Sequence, residues 1–196
     1  MPRNYDQAQP TQYQRIPSHT RDDSFIKEFL QRAKIGHLAH SRGDQPFITP
    51  TNFWYDPAGH RIILHSNIAG RMRDNLEHNP KVCMEVSEYG RFLPANTALE
   101  MGIQYRSVMI FGTVRVLTDP QGTCKEECIS VLNSLLKKYF PEMTPGVEFR
   151  PITDQELART TVYAIQIESW SGKENWDEAA EELPDWPPLP EKFKKA

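Results

Sequence analysis

Gly36-His37-Leu38-Ala39-His40, Pro46-Phe47-Ile48-Thr49-Pro50-Thr51-Asn52-Phe53-Trp54-Tyr55 and Arg61-Ile62-Ile63-Leu64-His65-Ser66 follow one another closely. Only Ser41-Arg42-Gly43-Asp44 and Asp56-Pro57-Ala58-Gly59 separate them. Both separators carry hairpin chemistry, because Gly and Asp accept the backbone angles a tight turn demands. Three short runs rich in β-branched and aromatic residues, joined by tight turns, are antiparallel strands. A doubly wound parallel sheet would need a crossover helix between each pair. Pro50 within the second run implies a sheet edge, or a position whose N–H side faces no partner.

Reading outward, Phe25, Ile26, Phe29, Leu30 and Ala33 recur at helical spacing, which predicts a helix over Asp22 to Lys34 capped by Thr20 or Asp22. Downstream, Gly70 to His78 reads as a short helix closed by Asn79-Pro80, Lys81 to Ser87 as a strand, and Tyr105 to Leu117 as a long strand. Asp119-Pro120 signals the start of a helix whose apolar stripe runs through Cys124, Cys128, Leu132, Leu135, Leu136 and Tyr139, with Lys137 and Lys138 suiting its C-terminus. Thr160 to Ser169 is a last strand. The expected fold is therefore mainly β, a six-stranded antiparallel barrel capped by helices.

The ends have a different character. Pro2 to Ser18 holds a single branched aliphatic residue, Ile16, too little apolar surface to offset ordering, so residues 1–18 read as a flexible arm. Residues 174–196 begin with acids and end in prolines, with Trp176, Trp186 and Phe193 as possible anchors. The Pro-Pro-Leu-Pro stretch reads as a strap on its own protein or on a second copy sooner than as an SH3-type ligand. The working domain is then 19–173. These ends account for much of the mean hydropathy of −0.62.

The 196 residues carry 23 basic and 26 acidic side chains, a net charge of −3. Such a balance offers no general field for polyanions, which argues against a nucleic-acid partner and confines anion recognition to local sites. Three cysteines do not make a disulfide framework and fit a reducing cytoplasm. Cys83 reads as buried in its strand. Cys124 and Cys128, without a histidine pair, read as core thiols rather than zinc ligands. No run approaches the roughly 20 apolar residues of a membrane span, and Met1 to Thr20 lacks the apolar segment of a signal peptide.

Four segments could carry chemistry. In Leu64 to Arg73 a strand ends in a polar turn and a helix begins. Helix-terminal N–H groups, the Ser66 hydroxyl, Gly70 and the guanidinium groups of Arg71 and Arg73 are what a phosphate monoester requires, although an ordinary capped turn has the same outline. Thr51 and Asn52 could bond a polar ring edge, or be plain edge-strand residues. Tyr105-Arg106-Ser107-Val108 opens a strand whose alternation sets Tyr105 and Ser107 opposite Arg106. Trp170-Ser171-Gly172-Lys173 ends the last strand with a flexible glycine and a cation. His37 and His40, three apart on a strand, point to opposite faces. Adjacent His65 and Ser66 cannot form a nucleophile–base pair.

The order of Gly36-His37-Leu38-Ala39, Gln45-Pro46-Phe47 with Thr49-Pro50-Thr51, and Leu64-His65-Ser66 with Gly70-Arg71 resembles the pyridoxamine 5′-phosphate oxidase-like superfamily of FMN-binding split barrels. Val82-Cys83-Met84-Glu85-Val86, Tyr105-Arg106-Ser107-Val108 with Gly112, and Gly172-Lys173 continue the likeness. Within it, the sequence is most similar to the group related to nitroimidazole-resistance proteins. The resemblance implies a homodimer with FMN in a groove at the subunit interface. Carried over by position, His65 and Ser66 meet the ribityl phosphate, and Gly70, Arg71 and Met72 complete that site at the helix start. Thr51 and Asn52 approach the isoalloxazine edge, with Ser107 and Lys173 near the flavin. His65 also occupies the place of a histidine linked to activity, as a phosphate contact or a proton donor. The oxidases proper resemble Ser-Arg-Lys where this chain has Gly70-Arg71-Met72, and their C-terminal substrate arginine is not recognisable in 174–196, so pyridoxamine phosphate is not the expected substrate. The implied function is an FMN-dependent oxidoreductase of an undefined small molecule. The alternatives are a non-catalytic flavin module and an F420- or haem-binding member of the same fold.

Overall fold

A computed structural model describes residues 4–118 and 124–194 of the chain; the expected helix start at Asp119-Pro120 lies outside the described residues. A single turn of 3-10 helix, Pro17–His19, leads into β1 (Thr20–Arg21) and α1 (Asp23–Arg32). Asp22 caps α1 by accepting a hydrogen bond from the Phe25 N–H, and the buried face of the helix is Ile26, Phe29 and Leu30. Strands β2 (Gly36–Arg42) and β3 (Gln45–Thr51) form the first hairpin, closed at Gly43 and Asp44. β4 (Trp54–Asp56) and β5 (Arg61–Asn67) form the second. In its turn the Asp56 carboxylate accepts from the Ala58 N–H and from Arg61 Nε.

The chain continues through α2 (Arg71–His78), β6 (Lys81–Leu93), β7 (Gly102–Val116), α3 (Lys125–Tyr139), α4 (Asp154–Leu157), β8 (Thr160–Asn175) and α5 (Glu191–Lys194). The strands form one antiparallel sheet in the order β3-β2-β6-β7-β8-β5-β4, with β1 added beside β8. The two ends of that order, β3 and β4, are consecutive in the chain. The sheet therefore curls until its edges adjoin at Asn52 and Phe53, which makes a split barrel: six strand-bearing segments as expected, but eight strands.

Two strands arise from one predicted run because Pro46–Tyr55 turns a corner at Asn52-Phe53. β3 is an edge, as its prolines require. The last strand does not stop at Ser169; it runs to Asn175, pairing with β7 throughout and with β1 at Arg21↔Gly172 and Thr20↔Lys173. Gly172-Lys173 is thus ladder, not a flexible end. Burial follows the period of two. The barrel encloses Leu38, Met84, Val86, Val108, Ile110, Leu64, Tyr163 and Ile165, while α3 lays Cys128, Val131 and Leu132 on Ile63, Val162 and Ala164 of the opposite face. Gly112 is required where β7 and β8 change register: a Cβ there would stand 2.2 Å from the Gln166 carbonyl oxygen. Cys128 is buried as expected, whereas Cys83 is only half-buried, because its side of β6 faces outward.

Candidate functional site

The turn between β5 and α2 is held from below and open above. Ser66 Oγ donates to the Asn67 carbonyl (2.8 Å) and lies 3.0 Å from the Tyr163 hydroxyl, which fixes the strand end. Asn67 Oδ1 accepts from the Ala69 N–H, and the Ile68 N–H reaches Arg159 O. Gly70 then starts α2 with φ 138° and ψ 167°, a region open essentially to glycine alone, and no side chain caps the first-turn amides. A Cβ on Gly70 would meet nothing within 4 Å. Arg71 is exposed, its guanidinium 5.4 Å from the Phe47 ring centroid, and it has no acidic partner among the described residues. Arg73 is already committed, Nε to Glu77 (2.7 Å) and Nη1 to Thr161 Oγ1 (2.8 Å), so it does not stand in for a missing cation. Met72 packs its side chain against the barrel core.

A buried polar link carries this helix on the sheet. His40 stacks on Phe47, with ring centroids 5.7 Å apart. Its Nδ1 lies 2.9 Å from Asn75 Nδ2, which can only donate, so the proton sits on Nε2 and is given to Thr49 Oγ1 at 3.0 Å. Burial lowers the His40 pKa and keeps the ring neutral. The cationic Arg71, Phe47 and His40 thus form one layered stack between α2 and β3. Sequence reasoning separated His37 from His40 by face, and the structure agrees: His37 is exposed beside Glu85. Nothing in the pattern pointed to Asn75.

Thr51 and Asn52 lie where the barrel edge turns its corner. Thr51 Oγ1 donates to the Asn52 carbonyl at 3.0 Å. The next residue, Phe53, is tied by α3. Its N–H donates to the Tyr139 hydroxyl (2.8 Å), and its carbonyl accepts from Lys138 Nζ at 2.9 Å, which also reaches Leu30 O. Tyr139 Oη lies 2.7 Å from Lys34 O. Burial, aided by Lys34, pushes the Lys138 ammonium down to about 7, while the two carbonyls and the Phe53 ring 3.6 Å beneath it favour the proton. The sequence offered these two residues only as a helix end, since a contact across 85 positions leaves no local pattern.

The structure separates the remaining candidates. Alternation on β5 puts Ser66 with Leu64 on the barrel side and His65 with Ile63 on the α3 side, so the two side chains do not converge on one phosphate. His65 Nδ1 is buried without a partner, its Nε2 is not sequestered, and burial lowers its pKa so that the imidazole is neutral. Ser107 and Lys173 pair across β7 and β8 on the outward face. Lys173 stands twelve residues along β8 from Thr161, the partner of Arg73, up to roughly 40 Å of strand at about 3.3 Å per residue. The site brought together in one chain is Ser66, Gly70 and Arg71, with Phe47 of β3 beside Arg71.

The family model described as pyridoxamine 5′-phosphate oxidase matches residues 22–174. The chain belongs to this family. Its fold is that of the flavin-binding split barrels. Among solved structures it is similar to the flavocytochrome Anf3 from Azotobacter vinelandii, with a TM-score of 0.76 at 24% identity over 91% of this chain and 78% of that one. It is also similar to a FAD and heme binding protein from Mycobacterium smegmatis, with a TM-score of 0.73 at 21% identity over 86% and 82%. A 5-nitroimidazole antibiotic resistance protein from Bacteroides thetaiotaomicron, described as putative, gives a TM-score of 0.64 at 19% identity over 78% and 84%. None of the curated proteins matches the chain. Among the described residues, no helix is long and apolar enough to cross a membrane.

Proposed function

We propose that this family member binds FMN with its phosphate at the β5–α2 turn and serves as an oxidoreductase of a small molecule, a second copy completing the groove. The observation that carries the reading is the open cradle at Gly70: uncapped helix amides, a glycine that keeps the approach clear and the exposed Arg71 guanidinium without an acid. Those features suit a dianionic phosphate, since amides and guanidinium are both charge-assisted donors. A flavin held there would supply two-electron transfer through its ring system. The chain's own part is to anchor the phosphate through Arg71 and α2, and to set Thr51 and Asn52 toward the ring from the clamped corner. His65 holds a neutral imidazole with Nε2 available as a proton donor. Ile48, 69% exposed on the outward side of β3, gives a second copy an apolar surface to cover.

The test is an absorption spectrum and a melting curve with and without FMN. At 100 times Kd, FMN should add about 2.7 kcal/mol, some 5–10 °C for a chain of this size by the usual ~2–4 °C per kcal/mol. No yellow colour and no shift would defeat the proposal; a shift with FAD but not FMN would change the flavin. A second reading, flavin together with haem, takes support from the names of the flavocytochrome and the FAD and heme binding protein, both similar over most of this chain. A Soret band in the purified protein would select it. Sedimentation reads the number of copies.

A further inference from the structure

Beneath the N-terminal arm, a cavity of about 260 Å³ lies on the outward face of β7 and β8. Its polar lining is Lys173, Ser107 and Ser171 from the strands and Gln14 from the arm. Its apolar walls are Met109 and Phe111 below and Tyr13 above. Lys173 is half-buried, yet its ammonium makes no ion pair or hydrogen bond with the described residues. Neighbouring cations on the same sheet find acids: Arg106 bonds both Glu88 and Glu174, and Lys81 bonds Glu168. A half-buried ammonium with no acid beside it among the described residues, next to two hydroxyls and the Gln14 amide, which spends one donor on the Thr11 carbonyl at 3.1 Å, is arranged to receive an anion. The apolar walls call for a flat carbon body, and the volume, below the ~300 Å³ at which drug-sized pockets begin, limits it to about one ring. The arm that closes the cavity lies outside residues 22–174, the stretch that the family model matches.

We infer that Lys173, Ser107 and the arm residues Tyr13 and Gln14 form a binding site for a small aromatic carboxylate. The inference does not rest on the flavin reading, and it gives Ser107 and Lys173 a ligand other than the flavin their family positions imply.

Calorimetry of the full chain with benzoate and with benzamide, its uncharged counterpart, tests it. Benzoate should bind at least tenfold more tightly than benzamide. Lys173→Gln should lose at least tenfold in benzoate affinity with an unchanged melting temperature, and Lys173→Arg should stay within a few fold. Removing residues 2–14 should weaken benzoate about as much as Lys173→Gln. Saturating FMN should leave benzoate affinity unaltered. Absent benzoate binding, equal binding of benzamide, indifference to Lys173→Gln or to loss of the arm, or competition by FMN would each overturn the site. Competition would return Lys173 to the flavin, whereas failure of FMN itself to bind is read separately from colour and leaves the benzoate result intact.

Discussion

The corner at Asn52-Phe53 and the turn at Asn67-Gly70 both end strands of the same barrel, and both interrupt backbone pairing. They resolve the resulting orphan groups in opposite ways. At the corner, α3 reaches across with Lys138 and Tyr139 and satisfies both backbone groups of Phe53 together with the carbonyls of Leu30 and Lys34 at the C-terminal end of α1 and just past it. At the turn, Asn67 and Arg159 satisfy the approach, but the first amides of α2 and the Arg71 guanidinium are left facing outward. A buried polar group must find a partner within the fold, while an exposed one can wait for a ligand. The corner is thus a fixed wall, and the turn is the open place where we propose that the phosphate docks.

That contrast predicts separable phenotypes. Lys138→Met keeps an unbranched apolar side chain but removes the ammonium, leaving the Leu30 carbonyl without that donor and the Phe53 carbonyl with the Tyr139 hydroxyl at 3.0 Å alone. It should cost about 3 kcal/mol, the scale of hydrogen bonds to a charged group, and lower the melting temperature by roughly 6–12 °C. Tyr139→Phe should act in the same direction at roughly 1–3 kcal/mol. If either variant melts like the wild type, the corner is not clamped as described. Arg71→Ala should do the reverse, leaving the melting temperature of the free protein unchanged while weakening FMN by roughly 1.5–3 kcal/mol, the range for a charged hydrogen bond. Titration against flavin fluorescence reads it, and unchanged affinity would place the phosphate elsewhere. Gly70→Ala falls between the two regions. The added methyl meets open space, so its cost of about 1–3 kcal/mol would come from backbone strain alone, measurable as a shift in denaturant midpoint.

The same contrast explains what the sequence could show. Hairpin chemistry, strand alternation and the Asp22 cap are local, and they carried the antiparallel barrel, the edge position of β3 and the limits of α1 and α2. The turn was legible too, because Ser66, Gly70 and Arg71 lie within six positions of one another and each has chemistry visible in isolation. The corner was not. Pro46 to Tyr55 reads as one strand, and the residues that bend it sit on a helix far along the chain. Local pattern also truncated β8 at Ser169, since Trp170-Ser171-Gly172-Lys173 lacks alternation; the pairing that holds it comes from β1 and β7. Placing His65 and Ser66 on one phosphate overlooked the period of two within an otherwise correctly placed strand.

The smallest effect concerns the link that holds α2 on the β2–β3 hairpin. His40 is buried and neutral, with a folded pKa below its ordinary value of 6.5. The unfolded chain therefore takes up the proton first as pH falls, so the contribution is complete above about 6.5 and is lost as pH drops toward the folded value. Protonation places a hydrogen on Nδ1, against the Asn75 amide that donates to it. Asn75 Oδ1, however, is buried without a partner, and a half-turn of the amide would let it accept the new hydrogen. The loss should be correspondingly modest. Between pH 6.5 and 5, the wild type should lose stability more steeply than His40→Gln, and the gap between the two denaturation slopes isolates His40 from the carboxylates that titrate lower. Parallel slopes would mean that the imidazole keeps the same protonation in both states, and that the stack of Arg71, Phe47 and His40 does not sense acid.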